Sequence, residues 1–368
     1  MACFDGQTNL ILTNSKKQPM ICQIEPVTFL LLSESLPVID VRAPVEYCQG
    51  HIPGSFNIPL FDDKGRAAVG TLYKNAGHDA AVKLGYEIAN PRKRYYIESI
   101  ETHVKGNEIL IHCWRGGLRS AEMAKFYSLS GYKVHLLTGG YKAYRHYIRE
   151  ALDIPARVVV LGGLTGTGKT DLLKAISNMG AQVVDLEHLA CHKGSVFGAL
   201  GQSPQPTNEQ FENNLYKVWS QLDLTKPVWF EDESRMIGNV TLPDSIIRQM
   251  SRGLLVTVEM QMAKRIRRLV EEYALFEKSM LAAAINKIGE RLGGARTQEA
   301  LEALGSGNFE KVAEITLSYY DKAYQHALSR KKGGKIVSFG PLGENTEENA
   351  AKIIDFTTKH LNHESHLS

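Results

Sequence analysis

The stretch His112-Cys113-Trp114-Arg115-Gly116-Gly117-Leu118-Arg119-Ser120 sets one thiol in a glycine-rich turn beside two guanidinium groups. Residues 108–112 before it read as a short apolar strand, and residues 120–130 after it carry helical spacing. A loop between a strand and a helix N-terminus gathers backbone N–H groups, the helix dipole and the cations Arg115 and Arg119 on one small volume. Such a cradle favours a thiolate and steadies a tetrahedral oxyanion. Cys113 is therefore expected to be a nucleophile toward a phosphate-like or sulfate-like group, with Arg115, Gly116, Gly117, Arg119 and Ser120 as the anion loop.

A second anion site is written as Gly163-Leu164-Thr165-Gly166-Thr167-Gly168-Lys169-Thr170, a complete Walker A sequence. The apolar run Arg157-Val158-Val159-Val160-Leu161 precedes it and a helical pattern over 171–179 comes after it, the context a P-loop requires. Gly163, Thr165, Gly166, Thr167 and Gly168 are expected to wrap a diphosphate, with Lys169 on its terminal oxygens and Thr170 on magnesium. Glu231 and Asp232 close the third strand of this half and are expected to complete the magnesium shell. Ser234 and Arg235 either add an anion contact or cap the next segment.

These residues need two scaffolds. Val38-Ile39-Asp40-Val41-Arg42 is a strand pattern, followed by a helix-like 44–48, the turn Gly50-His51-Ile52-Pro53-Gly54-Ser55 and a strand over 56–59. Asp40 and Arg42 read as a structural pair bracing the cysteine loop. A helix over 140–152 ends before Pro155, which sets a domain boundary near Asp153. The helical stretch 309–328, with Tyr319, Tyr320 and Tyr324, reads as a packing face. Strand patterns at 181–186, 227–230, 253–258 and 335–339, each before helical text, predict a doubly wound, mainly parallel five-stranded sheet. The expected fold is α/β: an N-terminal segment over 1–25, a first domain over 26–152, a P-loop domain over 153–362 with a helical insertion over about 260–330, and a disordered tail over 363–368.

Composition fits a globular chain of two domains: 368 residues, 43% hydrophobic, 23% charged. A net charge of +3 permits a nucleic-acid partner without requiring one. Two basic clusters are candidate RNA contacts: Arg92, Lys93 and Arg94 next to Tyr95 and Tyr96, and Lys264, Arg265, Arg267 and Arg268, which either close over phosphates or touch RNA. A plain solvated helix face is the alternative for both. The cysteines Cys3, Cys22, Cys48, Cys113 and Cys191 are odd in number and include no CxxC pair, so reduced thiols and a cytoplasmic address are expected. No apolar run approaches the roughly 20 residues of a spanning helix.

DVRAPVEYCQGHIPGSFNIP, the cysteine loop and Leu136-Leu137-Thr138-Gly139-Gly140-Tyr141, in that order, resemble a rhodanese domain. The rhodanese loop runs Cys-x-x-Gly-x-Arg, so the present loop is one residue longer and suits a bulkier anion. Its His-Cys, five residues, Arg119 and Ser120 also match cysteine phosphatases, which need a general acid for the leaving oxygen; whether Asp40 or another carboxylate fills that place stays open. With VGTLYKNAGHDAAVKLG, GGLTGTGKT, DLEHLACHKGSVFG and WFEDESRMIG, the chain resembles the tRNA 2-selenouridine synthase family from about residue 37 to 361. The resemblance implies conversion of wobble 2-thiouridine in tRNA to 2-selenouridine, with Cys113 catalytic, selenophosphate as donor and S-geranylation by geranyl diphosphate as a first step. In that scheme Cys113 attacks the selenium of selenophosphate, and Arg115 and Arg119 stabilise the departing phosphate. An ATP-dependent kinase or ATPase with a rhodanese regulator, and a cysteine phosphatase, are the alternative readings.

Overall fold

The computed structural model describes residues 20–331 and 333–365. Contacts divide the chain into two compact units, Met1–Tyr147 and Ile148–Ser368, the dividing point falling inside the helix Gly140–Asp153.

The first unit holds five strands: β1 (Ile21–Ile24), β2 (Val38–Asp40), β3 (Phe56–Asn57), β4 (Glu108–His112) and β5 (Lys133–Leu137). They form one all-parallel sheet in the order β1-β5-β4-β2-β3. β1 is its edge, so the fold begins before residue 26; residues 1–19 of the expected N-terminal segment lie outside the described residues. A parallel sheet covered on both faces buries its middle strand on both sides, and Ile109, Leu110 and Ile111 of β4 are fully buried. Helices Lys93–His103 and Leu118–Leu129 add Tyr96, Ile100, Met123, Ala124 and Tyr127 to this core. Burying a side chain of the size of Ile100 or Met123 contributes about 1.5–3 kcal/mol. The two buried tyrosines satisfy their hydroxyls on backbone: Tyr96 donates to Leu60 O at 2.8 Å and Tyr127 to Tyr96 O at 3.2 Å. Residues 63–89, which include the VGTLYKNAG string, fold as a pair of helices, Asp63–Ala76 and His78–Ala89.

The second unit holds β6 (Val158–Gly162), β7 (Gln182–Val184), β8 (Val228–Glu231), a small hairpin of β9 (Met236–Ile237) and β10 (Val240–Thr241), β11 (Leu254–Glu259) and β12 (Ile336–Pro341). Its five-stranded sheet is all parallel, in the order β12-β11-β6-β8-β7. Between β11 and β12 stand the helices of the expected insertion, from Met262–Tyr273 to Phe309–Arg330. They bury a separate cluster that includes Leu281, Ile285, Leu304 and Ile315. The last helix, Thr346–Ser365, runs past Leu361 into the expected tail; residues 366–368 lie outside the described residues. Among the described residues no helix is long and apolar enough to cross a membrane. In each unit a candidate anion loop leaves the carboxyl end of the sheet's middle strand, β4 or β6, the edge where parallel α/β sheets bind ligands.

Candidate functional site

The cysteine loop spans the gap between β4 and the helix Leu118–Leu129, which starts two residues earlier than its spacing predicts and brings Arg119 and Ser120 into the first turn. Gly117 at its N-cap makes no side-chain cap hydrogen bond, which leaves first-turn N–H groups for an anion. The loop is pinned from beneath by the turn after β5: Tyr141 N–H donates to Cys113 O at 2.8 Å and Lys142 N–H to Trp114 O at 2.9 Å. This contact requires two glycines. Gly116 has φ +66°, and a Cβ there would stand 3.0 Å from both Gly139 N and Leu137 O. Gly140 has φ +60°, and a Cβ there would overlap the Cys113 carbonyl and the Gly116 amide.

Cys113 is buried, with Sγ 3.1 Å from Ser120 Oγ. Ser120 Oγ also lies 3.1 Å from Gly117 O, to which it donates. Arg119 donates to both oxygens of Glu46, at 2.6 and 3.2 Å, and Glu46 Oε2 also accepts from Ala43 N–H at 3.1 Å. Burial alone would raise the Glu46 carboxyl, but the hydrogen bonds and charge of Arg119 hold it below the usual range. Arg115 is exposed and makes no hydrogen bond or ion pair among the described residues, so its guanidinium is open to an incoming anion.

Asp40 and Arg42 brace this loop. Both are fully buried, with Arg42 Nη2 2.6 Å from Asp40 Oδ2 and Arg42 Nε 3.0 Å from both carboxylate oxygens. The guanidinium donates to Gly50 O at 2.7 Å and lies 3.8 Å over the ring of Tyr141, the residue that pins Cys113. Burial alone would raise the Asp40 carboxyl; the neighbouring His112 imidazole and the bonds and charge of Arg42 outweigh it and hold it low. Burial pushes the His112 imidazole down to about 4, so at neutral pH His112 is uncharged and Arg42 is the cation that does this. Asp40 and Glu46 are therefore both ionised, and neither carries the proton that a cysteine phosphatase passes to its leaving oxygen.

The P-loop leaves β6 and ends at the helix Lys169–Asn178. Gly166 and Gly168 have φ of +81° and +75°, conformations that turn successive N–H groups into one concavity. Lys169 Nζ donates to Gly163 O at 3.1 Å and lies 3.4 Å from Glu231 Oε1. Thr165 gives its carbonyl to Arg265, and Thr167 Oγ1 donates to Leu164 O at 2.8 Å. Thr170 Oγ1 donates to Glu231 Oε2 at 3.0 Å and to Glu187 Oε2 at 3.4 Å.

Glu187, Glu231 and Glu233 converge here, with ligand oxygens all within 4.8 Å of one another. Burial first, and then the charge of Glu231, push Glu187 up to about 9 and Glu233 up to about 8. Mutual repulsion among hard oxygen donors beside a P-loop threonine fits a divalent cation such as magnesium. Asp232 is not part of this set, which corrects the expectation for it. It accepts from Lys331 Nζ at 2.5 Å and from the Tyr324 hydroxyl at 3.2 Å. The ladder runs one residue past β8, Asp232 N–H donating to Leu161 O at 2.9 Å, so a strand's alternation carries on beyond its end and separates Asp232 from Glu231 and Glu233. Sequence reasoning misses Glu187 because only the pairing of β7 with β8 brings it here.

The basic residues divide. Arg265 is 2% exposed, holds Asp321 through two nitrogens at 2.9 and 2.5 Å and donates to Thr165 O at 2.8 Å; it braces the P-loop and is withdrawn as an RNA contact. Arg268 pairs with Asp171, its guanidinium 3.1 Å from where a Gly168 Cβ would stand. Lys264 pairs with Glu344, and Arg267 is exposed. In the other cluster Lys93 and Arg94 are exposed, Arg94 pairing with Glu98 at 2.6 Å, and Arg92 stands 5.2 Å from the ring of Tyr95. Tyr96 belongs to the core and Tyr95 is the exposed ring. Arg235 pairs with Asp244 at 2.6 Å. The helix Phe309–Arg330 is a clasp as well as a packing face: Asp321 holds Arg265, and the Tyr324 hydroxyl accepts from Gly163 N–H at 2.9 Å.

A family model described as the tRNA 2-selenouridine synthase AAA domain matches residues 156–353, and a rhodanese-like domain model matches residues 28–147. A tRNA 2-selenouridine synthase of Nitrosomonas europaea is 34% identical over 367 residues, covering 84% of this chain and 93% of the relative. Proteins of the same name from Marinobacter nauticus and Bdellovibrio bacteriovorus are 35% and 32% identical, covering 84% and 82% of this chain and 93% and 91% of the relatives.

Proposed function

The chain belongs to the tRNA 2-selenouridine synthase family, and from that premise we propose how its two anion sites divide the work. It is a tRNA-modifying enzyme that converts wobble 2-thiouridine to 2-selenouridine. The P-loop unit takes geranyl diphosphate and alkylates the thiouridine sulfur; the rhodanese-like unit takes selenophosphate and supplies selenium.

One observation carries this division: the chain holds two anion cradles, and only one contains a nucleophile. The Cys113 loop can react with its anion. The P-loop, built from N–H groups, Lys169 and Thr170, can hold a diphosphate and stabilise it as it leaves. Alkylation comes first because a thiocarbonyl sulfur is a poor leaving group and an alkylthiolate is a competent one. Magnesium would be held by Thr170, Glu187, Glu231 and Glu233, where it would neutralise charge building on the departing diphosphate. Lys93, Arg94 and Arg267 are exposed and Arg92, Lys264 and Arg268 partly so. These cations would meet tRNA phosphates, Arg94, Lys264 and Arg268 after giving up their carboxylate partners, and a tRNA substrate fits work in the cytoplasm.

The test is mass spectrometry of wobble nucleosides after incubating the protein with 2-thiouridine tRNA and each donor, alone and together. A geranylated nucleoside with the first donor that becomes selenouridine with the second is the expected result. Loss of added ATP with neither product would instead make the P-loop a kinase or ATPase site.

A further inference from the structure

This inference rests on the reading of selenophosphate as the anion that meets Cys113. That molecule offers the thiolate two atoms. Attack on selenium forms an S–Se bond and expels phosphorus with the bonding pair as phosphite, phosphorus(III); to end as phosphate it would need an oxidant, which neither this chain nor its activity supplies. Attack on phosphorus forms an S–P bond and breaks P–Se. The bonding pair then leaves with selenium as selenide, and no atom changes oxidation state.

We propose that Cys113 attacks phosphorus, so that this unit passes through S-phosphocysteine and releases selenide as the nucleophile for the alkylated uridine.

The loop geometry favours this atom. The N–H groups of the turn and the first helical turn, with the open guanidinium of Arg115, are donors that seat phosphoryl oxygens, while Arg119 holds Glu46 beside them. Cys113 Sγ lies at the base of the same turn, fixed 3.1 Å from Ser120 Oγ. An anion whose oxygens occupy the donors presents phosphorus to Sγ and points its selenium outward, opposite the incoming sulfur. Attack on selenium would require the reverse orientation, with the oxygens away from every donor.

The leaving group fits as well. An alkoxide expelled from a phosphate ester needs a proton, and both carboxylates at this loop are committed as anions to arginines: Asp40 to Arg42 and Glu46 to Arg119. Monoprotonated selenophosphate carries its own proton and releases the hydrogen selenide ion, the conjugate base of an acid far stronger than an alcohol, so the departure needs no protein acid. The released selenide attacks C2 of the S-alkylated uridine, forming C–Se and expelling the alkylthiolate. Water then cleaves the S–P bond, returning phosphate and the thiolate.

The experiment uses selenophosphate labelled with radioactive phosphorus and the full chain, quenched in neutral detergent, with phosphorus NMR of the released product. The expected result is phosphate as product, with label on the wild-type protein about tenfold or more above Cys113→Ala. Phosphite as product, with selenium rather than label on Cys113, overturns the proposal, and so does phosphate without protein-bound label. Selenophosphate consumed no faster by the wild type than by Cys113→Ala is a different failure: it removes the donor reading, and the proposal with it.

Discussion

His112 lies fully buried beneath the cysteine loop, with neither ring nitrogen hydrogen-bonded among the described residues. Burial holds its imidazole at about 4 in the folded state against an ordinary value of 6.5. The sign comes from this depression. The unfolded chain takes up the proton first, so the stability is fully present above pH 6.5 and is lost as pH falls toward 4. A difference of about 2.5 pH units corresponds to about 3 kcal/mol in full and about 2 kcal/mol by about pH 5. Asp40, held low by Arg42, loses its contribution only below its ordinary value of 3.8, so the two windows separate. His51, also lowered by burial, adds to the upper window but is unchanged in the test variant. The perturbation is His112→Leu, compared with wild type in urea unfolding at about pH 7.5 and about pH 5, read by hydrogen exchange of the peptide covering β4. The wild type is expected to lose about 2 kcal/mol more than the variant between the two conditions. Equal losses would refute the assignment of that proton to His112.

Other outcomes come from the same geometry. Arg42→Met strands a buried carboxylate and is expected to cost the first unit about 3–5 kcal/mol in urea unfolding, most of it recovered in Asp40→Leu/Arg42→Met. Gly140→Ala pushes against the Cys113 carbonyl, and a displacement approaching 1 Å is expected to cut selenium transfer about a hundredfold while leaving tRNA alkylation intact, as nucleoside mass spectrometry would read. Glu187 is raised to about 9, so without a divalent cation the second unit should lose stability as pH rises from about 5 to 9. Melting curves with magnesium should flatten that dependence, and Glu187→Gln should weaken both the dependence and the magnesium response.

The amino-acid sequence is informative wherever neighbours in the chain decide structure. The run EILIH is β4 to the residue, and the Walker A string sits between strand and helix as its context demands. It is uninformative where partners come from afar. Glu46 meets Arg119 across 73 positions, and Arg265 meets Thr165 across 100, so a basic run looks uniform although one member is buried in an ion pair. Asp232 is the exception, because alternation running on from the end of β8 is already visible in Glu231-Asp232-Glu233 and points to the outer two. Glu187 has no such local signal.

The central claim is that two separate cradles do two separate chemistries, and Cys113→Ala set beside Lys169→Ala tests it most directly. Each variant is incubated with 2-thiouridine tRNA, geranyl diphosphate and selenophosphate, and the wobble nucleosides are analysed by mass spectrometry. The account predicts that Cys113→Ala accumulates geranylated nucleoside without selenouridine, while Lys169→Ala loses the geranylated nucleoside but, given tRNA geranylated beforehand, still forms selenouridine. Equal loss of both steps in both folded variants would contradict it.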